Sequence, residues 1–365
     1  MNNSFIPISK PSITDKEIAY VTDAVSSTWI SSLGKYIDRF ETEFATFCGT
    51  RYGVATSNGT VALHLALVAL GIGKGDEVIV PDLSFVATVN TILQAGAVPV
   101  FADIDPYNLC MDPRELEKVI TSRTKAIMPV HLYGHPADMK SINAIAEKHN
   151  LLVIEDAAEA HGASIHGRKV GNWGVCGSFS FYGNKNITTG EGGMITTNDE
   201  ALYNRLRHLR DHAMSKEKRY WHTECGYNYR MTNLQAALGC AQLERIDALM
   251  ERKRQIFKIY SAQLSGVPGI SLNRTCAWAT HAYWLVCLEI ENYNEAQRDA
   301  FIQRLKALGV DSRPYFYPMS AMPYLQDANT PVTHSVSQKG LNLPTYFDLT
   351  EEEIHRVCEA VKQSL

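Results

Sequence analysis

Lys185 occupies a position in the sequence that suits covalent chemistry. It follows the apolar segment 178–182 and precedes the glycine-rich segment 190–193. A lysine between a buried strand and a tight loop is poorly hydrated, and burial lowers the pKa of its amine. A neutral amine can attack an aldehyde and form a Schiff base. The alternative interpretation is an ordinary surface charge, which is the commoner use of lysine.

Asp156 falls at the carboxyl end of a predicted strand. It follows the apolar run 151–154, with Glu155 between. A carboxylate at this position can pair with a protonated ring nitrogen. Against a pyridine-type cofactor it would keep the ring cationic, and a cationic ring stabilises carbanions of amino acids. A surface turn or a helix cap is the competing interpretation.

The segment 57–60 has the composition of a phosphate-binding turn. Gly59 permits close approach of the backbone to a phosphate. Thr60 adds N–H and hydroxyl donors at the point where a strand ends and a helix begins. Ser180, on the strand before Lys185, could also donate to a phosphate. An ordinary helix cap and core-facing serine hydroxyls are the alternatives. A phosphate site, an acid for a ring nitrogen and a Schiff-base lysine together indicate a pyridoxal-phosphate (PLP) enzyme.

The elements that position these residues alternate between strand and helix. Predicted strands cover residues 52–56, 77–80, 98–104, 126–132, 151–155, 178–182 and 194–197, and predicted helices cover residues 60–70, 85–94 and 139–149. Such alternation predicts an α/β fold with a mostly parallel sheet and helices on both faces. Ligands of such sheets gather at the carboxyl ends of the strands.

The C-terminal part of the chain predicts a smaller α+β domain. A long amphipathic stretch, 233–264, is the predicted bridge to it. Beyond the bridge we predict strands at 284–290 and 310–315 and helices at 295–308 and 351–363. The predicted division is a large cofactor-binding domain with an N-terminal arm, 1–245, and a small domain, 246–365.

Composition excludes several classes of protein. The 365 residues are 45% hydrophobic and 20% charged, with a net charge of −4, which is typical of a globular protein without a nucleic-acid surface. We interpret the basic run 251–254 as a solvated helix face. The eight cysteines are scattered, so no metal or redox motif is expected. Without an evident signal peptide or an apolar stretch of membrane length, the expectation is a cytoplasmic protein that has no membrane partner.

Six motifs make the chain resemble the DegT/DnrJ/EryC1/StrS family of sugar aminotransferases over essentially its whole length. They cover residues 57–63, 75–81, 155–160, 183–185, 190–194 and 227–233. The resemblance implies the aspartate aminotransferase (type I) fold, with a mostly parallel mixed sheet in the large domain. It also implies PLP as cofactor, L-glutamate as amino donor and pyridoxamine phosphate as the aminated form of the cofactor.

The resemblance implies a role for each matching residue. Lys185 would form the internal aldimine and then move protons, and Asp156 would pair with the pyridinium nitrogen. The other implied cofactor contacts are Glu159 near the ring hydroxyl, Phe85 stacked on the ring, and Gly59, Thr60 and Ser180 on the phosphate. Asn228 would reach the phosphate in the neighbouring subunit, which implies a homodimer with shared active sites. A core position for Phe85 and a loop cap for Asn228 are the alternatives, and the sequence leaves tetramer formation open.

Three further segments, 29–37, 218–222 and 312–318, resemble family members that aminate C4 of GDP-4-keto-6-deoxymannose to give GDP-perosamine. In these segments the candidate contacts for sugar or diphosphate are Arg219, His222, Arg313 and Tyr317, although surface pairing is the commoner use of such residues. Asn186 departs from the family pattern, in which a threonine or a similar residue usually follows the lysine. It could tune the surroundings of the amine.

Three alternative functions are weighed against this interpretation of the sequence. A sugar 3-dehydratase of the same family would carry histidine at position 185, so the lysine disfavours it. An aminotransferase for a UDP- or dTDP-linked keto sugar would differ only in loop residues of the pocket. A non-catalytic ligand-binding regulator on this fold would not need Lys185 and Asp156.

Overall fold

A seven-stranded sheet forms the centre of the computed structural model, which describes residues 4–365. The strands are β1 Tyr52–Thr56, β2 Glu77–Pro81, β3 Val98–Ala102, β4 Thr124–Ile127, β5 Leu152–Asp156, β6 Ser164–Ile165, β7 Arg168–Lys169, β8 Cys176–Ser180, β9 Gly193–Thr197, β10 Ile270–Leu272, β11 Ala279–Thr280, β12 Val286–Ile290, β13 Arg313–Pro314 and β14 Gly340–Leu343. The helices are α1 Asp15–Ser26, α2 Lys35–Cys48, α3 Gly59–Ala69, α4 Ala87–Gln94, α5 Pro113–Val119, α6 Met139–His149, α7 Glu200–Arg210, α8 Asn233–Leu243, α9 Ile246–Leu264, α10 Glu295–Ala307, α11 Pro331–Lys339 and α12 Glu351–Ser364.

The central sheet has the order β1-β9-β8-β5-β4-β2-β3. Neighbours from β8 to β3 are parallel, whereas β9 is antiparallel to both β8 and β1. Six strands therefore run in one direction and end at one edge. Strands β2, β8 and β9 are buried at every residue, as expected for a sheet covered by helices on both faces. The predicted α/β class is confirmed.

A second sheet, β10-β12-β14-β13, belongs to the C-terminal part of the chain. Apolar residues of β12, β14, α10 and α12 share one buried cluster beside it. Strand β13 is shorter than the predicted strand 310–315. Pro314 lies in this edge strand, where its missing N–H does not interrupt the sheet. The predicted domain boundary falls between α8 and α9 and stays a prediction.

The stretch 233–264 is two helices rather than the single amphipathic element that was predicted. The break at residues 244–245 is held by side-chain bonds to the N-terminal segment. Glu244 accepts from Tyr20 and Arg39 at 2.6 Å each, and Arg245 donates to Glu17 at 2.6 Å. These long-range bonds have no local signal in the sequence.

The interpretation of residues 251–254 as a solvated face is wrong for Lys253. Its side chain is buried, and Nζ donates to the carbonyls of Trp284 at 3.0 Å and Thr345 at 2.6 Å. Burial lowers the pKa of this amine to about 7. Lys253 thus joins α9 to the start of β12.

Strand β4 ends at Ile127, earlier than predicted, and a 3₁₀ turn follows at Leu132–Gly134. Tyr133 adopts a positive φ of 51° in this turn. Its N–H donates to Glu159 Oε2 at 2.9 Å, so the segment after β4 binds a carboxylate instead of continuing the strand.

Within residues 4–365, none of the helices combines the length and the apolar character that a membrane crossing requires.

Candidate active site

A cavity of about 770 Å³ lies at the carboxyl ends of the parallel strands. Its lining includes every predicted cofactor residue except Asn228, namely Gly59, Thr60, Phe85, Asp156, Glu159, Ser180 and Lys185. These residues come from α3, the turn before α4, the end of β5 and the end of β8. The edge of the sheet therefore brings together residues that are more than 120 positions apart in the sequence.

The amine of Lys185 projects into this cavity from the turn after β8. Its main-chain N–H donates to the carbonyl of Tyr182 at 2.9 Å, which fixes the turn. Nζ lies 3.6 Å from Glu159 Oε1 and 3.8 Å from the centre of the Trp284 ring. Burial lowers the pKa of this amine, while Glu159 and Asp156 act in the opposite direction. A lowered pKa increases the neutral fraction, which is the nucleophilic form.

Glu159 is the buried carboxylate that faces the amine. Its Oε2 accepts the N–H of Tyr133, and its Oε1 faces Lys185. Burial raises the pKa of Glu159 to about 7, and the Lys185 charge opposes that rise. Glu159 is therefore the carboxylate that stabilises the charged form of the Lys185 amine.

Asp156 is the last residue of β5 and is held by α4. Thr88 Oγ1 donates to Asp156 Oδ2 at 2.8 Å, and Ser84 donates to Thr88 at 2.8 Å. The N–H of Ala158 donates to Oδ1 at 3.2 Å. Burial raises the pKa of Asp156, and the Thr88 hydroxyl opposes this by stabilising the carboxylate. An oriented carboxylate at the cavity wall suits a protonated ring nitrogen.

The N-terminus of α3 approaches β8 closely enough to form a phosphate-sized cradle. Asn58 caps the helix by accepting the N–H of Val61 at 3.0 Å, and helix geometry leaves the N–H groups of the first turn without intrahelical acceptors. A Cβ at Gly59 would lie 2.7 Å from Cβ of Ser180, so only glycine allows this approach. Backbone N–H groups and two hydroxyls around a helix N-terminus suit a phosphate.

Aromatic rings form another wall of the cavity. Phe85 keeps 55% of its surface exposed there, and its ring centre lies 5.9 Å from that of Phe316. Phe85 precedes α4 and is not a core residue. An exposed phenyl face suits the stacking role that the resemblance implies for Phe85.

Sequence reasoning missed Thr88, Phe316 and Trp284. Thr88 lies three residues after Phe85, so the helical spacing of α4 could have indicated that both face one site. Phe316 lies in the segment 312–318 that the resemblance singled out, but its neighbours Arg313 and Tyr317 were chosen instead. Trp284 comes from the C-terminal part of the chain, and nothing in its neighbourhood indicates that it reaches the strand ends.

Asn228 and the predicted substrate contacts lie outside this cavity. Asn228 is exposed, beside Asp211. His222 Nδ1 pairs with the His212 carbonyl at 2.9 Å, Arg313 pairs with Asp311 at 3.2 Å, and Tyr317 accepts from Arg298 at 3.3 Å. Arg219 lines a second cavity of about 510 Å³, together with Arg207, His208, Arg210, Asp211, Met214, Ser215 and Lys216. The structure thus does not bring these predicted contacts to the amine within one chain.

Asn186, the departure from the family pattern, faces away from the 770 Å³ cavity. Its side chain is buried, and Nδ2 donates to the carbonyl of Ala282 at 3.3 Å. It lines a small cavity on the other side of the Lys185 turn, beside Lys253. Lys185 lines this small cavity as well.

Comparison with known proteins identifies the class to which this fold and site belong. The chain belongs to the DegT/DnrJ/EryC1/StrS aminotransferase family, which matches residues 11–362. Two similar relatives are the GDP-perosamine synthases of Caulobacter vibrioides, 46% identical over 99% of this chain and 98% of the relative, and of Vibrio cholerae, 43% identical over 98% of each.

Solved structures are similar over nearly the whole chain. The Streptococcus pneumoniae protein Spr1654 in its PMP-form has a TM-score of 0.94 at 29% identity, covering 99% of this chain and 97% of its own. Its PLP-form has the same TM-score at 28% identity, covering 99% and 100%. The aminotransferase TlmJ of Streptoalloteichus hindustanus has a TM-score of 0.94 at 29% identity, covering 98% of each chain. The protein thus has the type I fold that the resemblance implied.

Proposed function

We propose that this protein uses PLP to transfer the amino group of L-glutamate to C4 of GDP-4-keto-6-deoxymannose, giving GDP-perosamine. The observation that carries the proposal is the meeting of the Lys185 amine, the Asp156 carboxylate and the α3 N-terminus in one cavity. The choice of a GDP-linked sugar rests on relatives named GDP-perosamine synthase that match nearly the whole chain.

The residues of the cavity fit PLP. The α3 N-terminus with Ser180 would hold its phosphate, Asp156 its ring nitrogen and Phe85 its ring face. When bound, PLP supplies an electron-withdrawing ring that stabilises negative charge on the substrate carbon. The fit depends on the close approach that Gly59 permits, because a Cβ there would collide with Ser180.

Lys185 would move the protons of the reaction. In the glutamate half, Nζ would take a proton from Cα of the donor and pass it to the aldehyde carbon of the cofactor. In the sugar half, it would take that proton back from the cofactor and give it to C4 of the sugar. Glu159, 3.6 Å from Nζ, stabilises the protonated amine between these steps. The hydroxyl of Thr88 stabilises the charged form of Asp156. Phe85 and Phe316 exclude water from one wall of the cavity.

The nucleotide part of the substrate needs a basic surface, which the second cavity offers. Arg207, Lys216 and Arg219 line it, and guanidinium groups bind diphosphate oxygens in a bidentate way. In the proposal this surface and Asn228 serve the site of a neighbouring subunit, so the functional unit is a homodimer.

The test is a panel of GDP-, UDP- and dTDP-linked 4-keto-6-deoxy sugars incubated with L-glutamate, with the amino sugar detected by mass. We expect the GDP-linked sugar to be aminated with the highest kcat/KM. The Lys185→Ala variant should lose both the absorbance of the PLP adduct and the amination. A clear preference for a UDP- or dTDP-linked sugar would overturn the substrate assignment, and full turnover by Lys185→Ala would overturn the mechanism.

A further inference from the structure

The indole ring of Trp284 contacts both Lys185 and the residue before it, Asn184. The centre of the ring lies 3.8 Å from Nζ of Lys185, and the indole N–H donates to the carbonyl of Asn184 at 2.8 Å. One side chain therefore holds both the amine and the peptide that precedes it. Trp284 is 5% exposed and lines the 770 Å³ cavity.

Trp284 is itself fixed from three sides. Its N–H donates to the carbonyl of Tyr133 at 3.1 Å, and its ring lies nearly parallel to that of Tyr133, 20° apart with centres separated by 6.2 Å. Its carbonyl accepts from the buried amine of Lys253 on α9 at 3.0 Å. The two main-chain bonds fix the backbone of Trp284, while the indole ring itself is held by its N–H bond to Asn184 and its contact with Tyr133.

The face of an indole ring attracts an ammonium ion but has little attraction for a neutral amine. Trp284 therefore favours the protonated form of Lys185, as Glu159 does from 3.6 Å away. The other titratable groups that line the 770 Å³ cavity are His64, Asp156, Tyr182, Glu191 and Tyr229. Lys10, Lys253 and Tyr346 line the small cavity on the opposite side, and the charge of Lys185 also acts on the buried His161. Burial lowers the pKa of His161 to about 3, so this histidine stays neutral.

We propose that Trp284 is a positioning residue for Lys185: its indole face is the resting place of the protonated amine whenever that amine is not covalently engaged. The inference rests on the proposed function, in which the amine is released and re-engaged in each half of the reaction. A released lysine with four rotatable bonds would otherwise sample many conformations. The ring limits it to positions from which it can deliver a proton.

The experiment compares Trp284→Leu, which removes the aromatic face, with Trp284→Phe, which keeps a smaller one. Trp278→Leu and Trp278→Phe are matched controls, because Trp278 is a partly buried tryptophan outside this cavity. Two quantities are measured on the full-length proteins. One is the pH at which recombination of PLP with Lys185 is half-maximal, followed by absorbance. The other is kcat and KM of the glutamate half-reaction in the holoenzyme.

Removing the ring destabilises the ammonium form, so the pKa of the amine should fall. We expect Trp284→Leu to move the recombination profile down by about one pH unit. It should also lower kcat of the glutamate half-reaction at least about tenfold while KM changes less than about threefold. Trp284→Phe should give a smaller shift in the same direction, and both Trp278 variants should match the wild type.

The proposal is overturned if the Trp284 variants recombine at the wild-type pH, or if their only defect is weaker PLP affinity with normal kcat at saturation. Should Trp284→Leu fail to fold, the absence of a shift in Trp284→Phe overturns it equally. Failure of the proposed function is separate, because it would appear in the wild-type protein as missing amination or as a missing PLP adduct on Lys185.

Discussion

Glu159 and Lys185 have shifted pKa values in opposite senses, and each shift depends on the other residue. The pKa of Glu159 is raised to about 7 and that of Lys185 is lowered, both mainly through burial. Removing the carboxylate charge removes an attraction that stabilises the ammonium form of Lys185. We expect Glu159→Gln to lower the pKa of Lys185 and to move the recombination of PLP to lower pH. Absorbance against pH measures this, with the exposed Glu117→Gln as control, and a shift to higher pH would contradict the electrostatic argument.

Asp156→Asn should reduce catalysis far more than stability. Thr88 and Ala158 donate to different oxygens of Asp156, so the single amide oxygen can keep the bond from Ala158. The amide NH2 can donate to the Thr88 hydroxyl, which can turn and donate to Ser84 instead, so the fold keeps its contacts. It carries no charge to hold a ring nitrogen protonated. We expect kcat to fall about 10²–10³-fold, as for other preorganised electrostatic groups, with the free energy of unfolding changed by about 1 kcal/mol or less. Kinetics at saturating PLP and thermal unfolding measure the two effects. Undiminished kcat would rule out the ring-nitrogen pairing.

At the residue scale, the sequence predicted those site residues that lie in local motifs at strand ends. Asp156, Lys185 and Gly59 are of this kind, because a single buried strand fixes where the residue after it lies. Trp284 and Phe316 could not be predicted. Their approach to the amine depends on how the C-terminal part packs on the central sheet, which no local pattern encodes.

Among the elements, the junction of α3 with β8 is the one at the cavity where a single added methyl group tests the phosphate site. Because a Cβ at Gly59 would lie 2.7 Å from Cβ of Ser180, Gly59→Ala must push the helix N-terminus away from the strand. We expect a loss of about 1–3 kcal/mol in stability and a clear rise in the Kd for PLP. Denaturant unfolding and PLP titration measure these changes.

The control for this prediction is Gly266→Ala, where an added Cβ meets no described atom within 4 Å. It should leave PLP affinity at the wild-type value. If Gly59→Ala binds PLP as tightly as the wild type, the α3 N-terminus is not the phosphate site.

The buried amine of Lys253 makes the attachment of α9 dependent on pH. Its pKa is about 7 in the folded protein and near 10.4 in an unfolded chain, so between these values the unfolded state binds the extra proton. The free energy of unfolding contributed by this group therefore rises with pH across that window, by at most about 1.4 kcal/mol per pH unit. We expect the wild type to gain stability relative to Lys253→Met from pH 7 to pH 10 in denaturant unfolding. The exposed Lys258→Met, on the same helix, should show no such trend, and a flat difference for Lys253→Met would contradict the lowered pKa.

At the element scale, periodicity predicted the central strands and α6 to within a few residues, because most of them form a buried face whose pattern is local. It did not predict the break between α8 and α9, which depends on bonds from Glu244 and Arg245 to α1 and α2. The early end of β4 likewise depends on a carboxylate, Glu159, that lies 26 residues further along the chain than Tyr133. Contacts between residues this far apart in the sequence leave no periodic pattern in it.

For the whole molecule, the placement of the predicted residues divides them into two groups. One chain brings the amine, the ring-nitrogen acid and the helix N-terminus into one cavity. Asn228 is exposed outside it, and Arg219 lines a separate basic cavity. The family resemblance implies that Asn228 acts on this chemistry from a neighbouring subunit.

Mixed dimers of two inactive variants test that arrangement. We expect Lys185→Ala and Asn228→Ala each to be nearly inactive as homodimers. If Asn228 serves the neighbouring site, a dimer with one chain of each kind contains one site with its own Lys185 and an intact Asn228 from its partner, because a two-fold dimer pairs the sites reciprocally. Such a dimer should recover about half of the wild-type activity, measured on heterodimers purified by two different tags. A chain that carries both substitutions, paired with Lys185→Ala, should recover none. If mass-verified mixed dimers stay as inactive as their parents, Asn228 acts within its own chain or not at all.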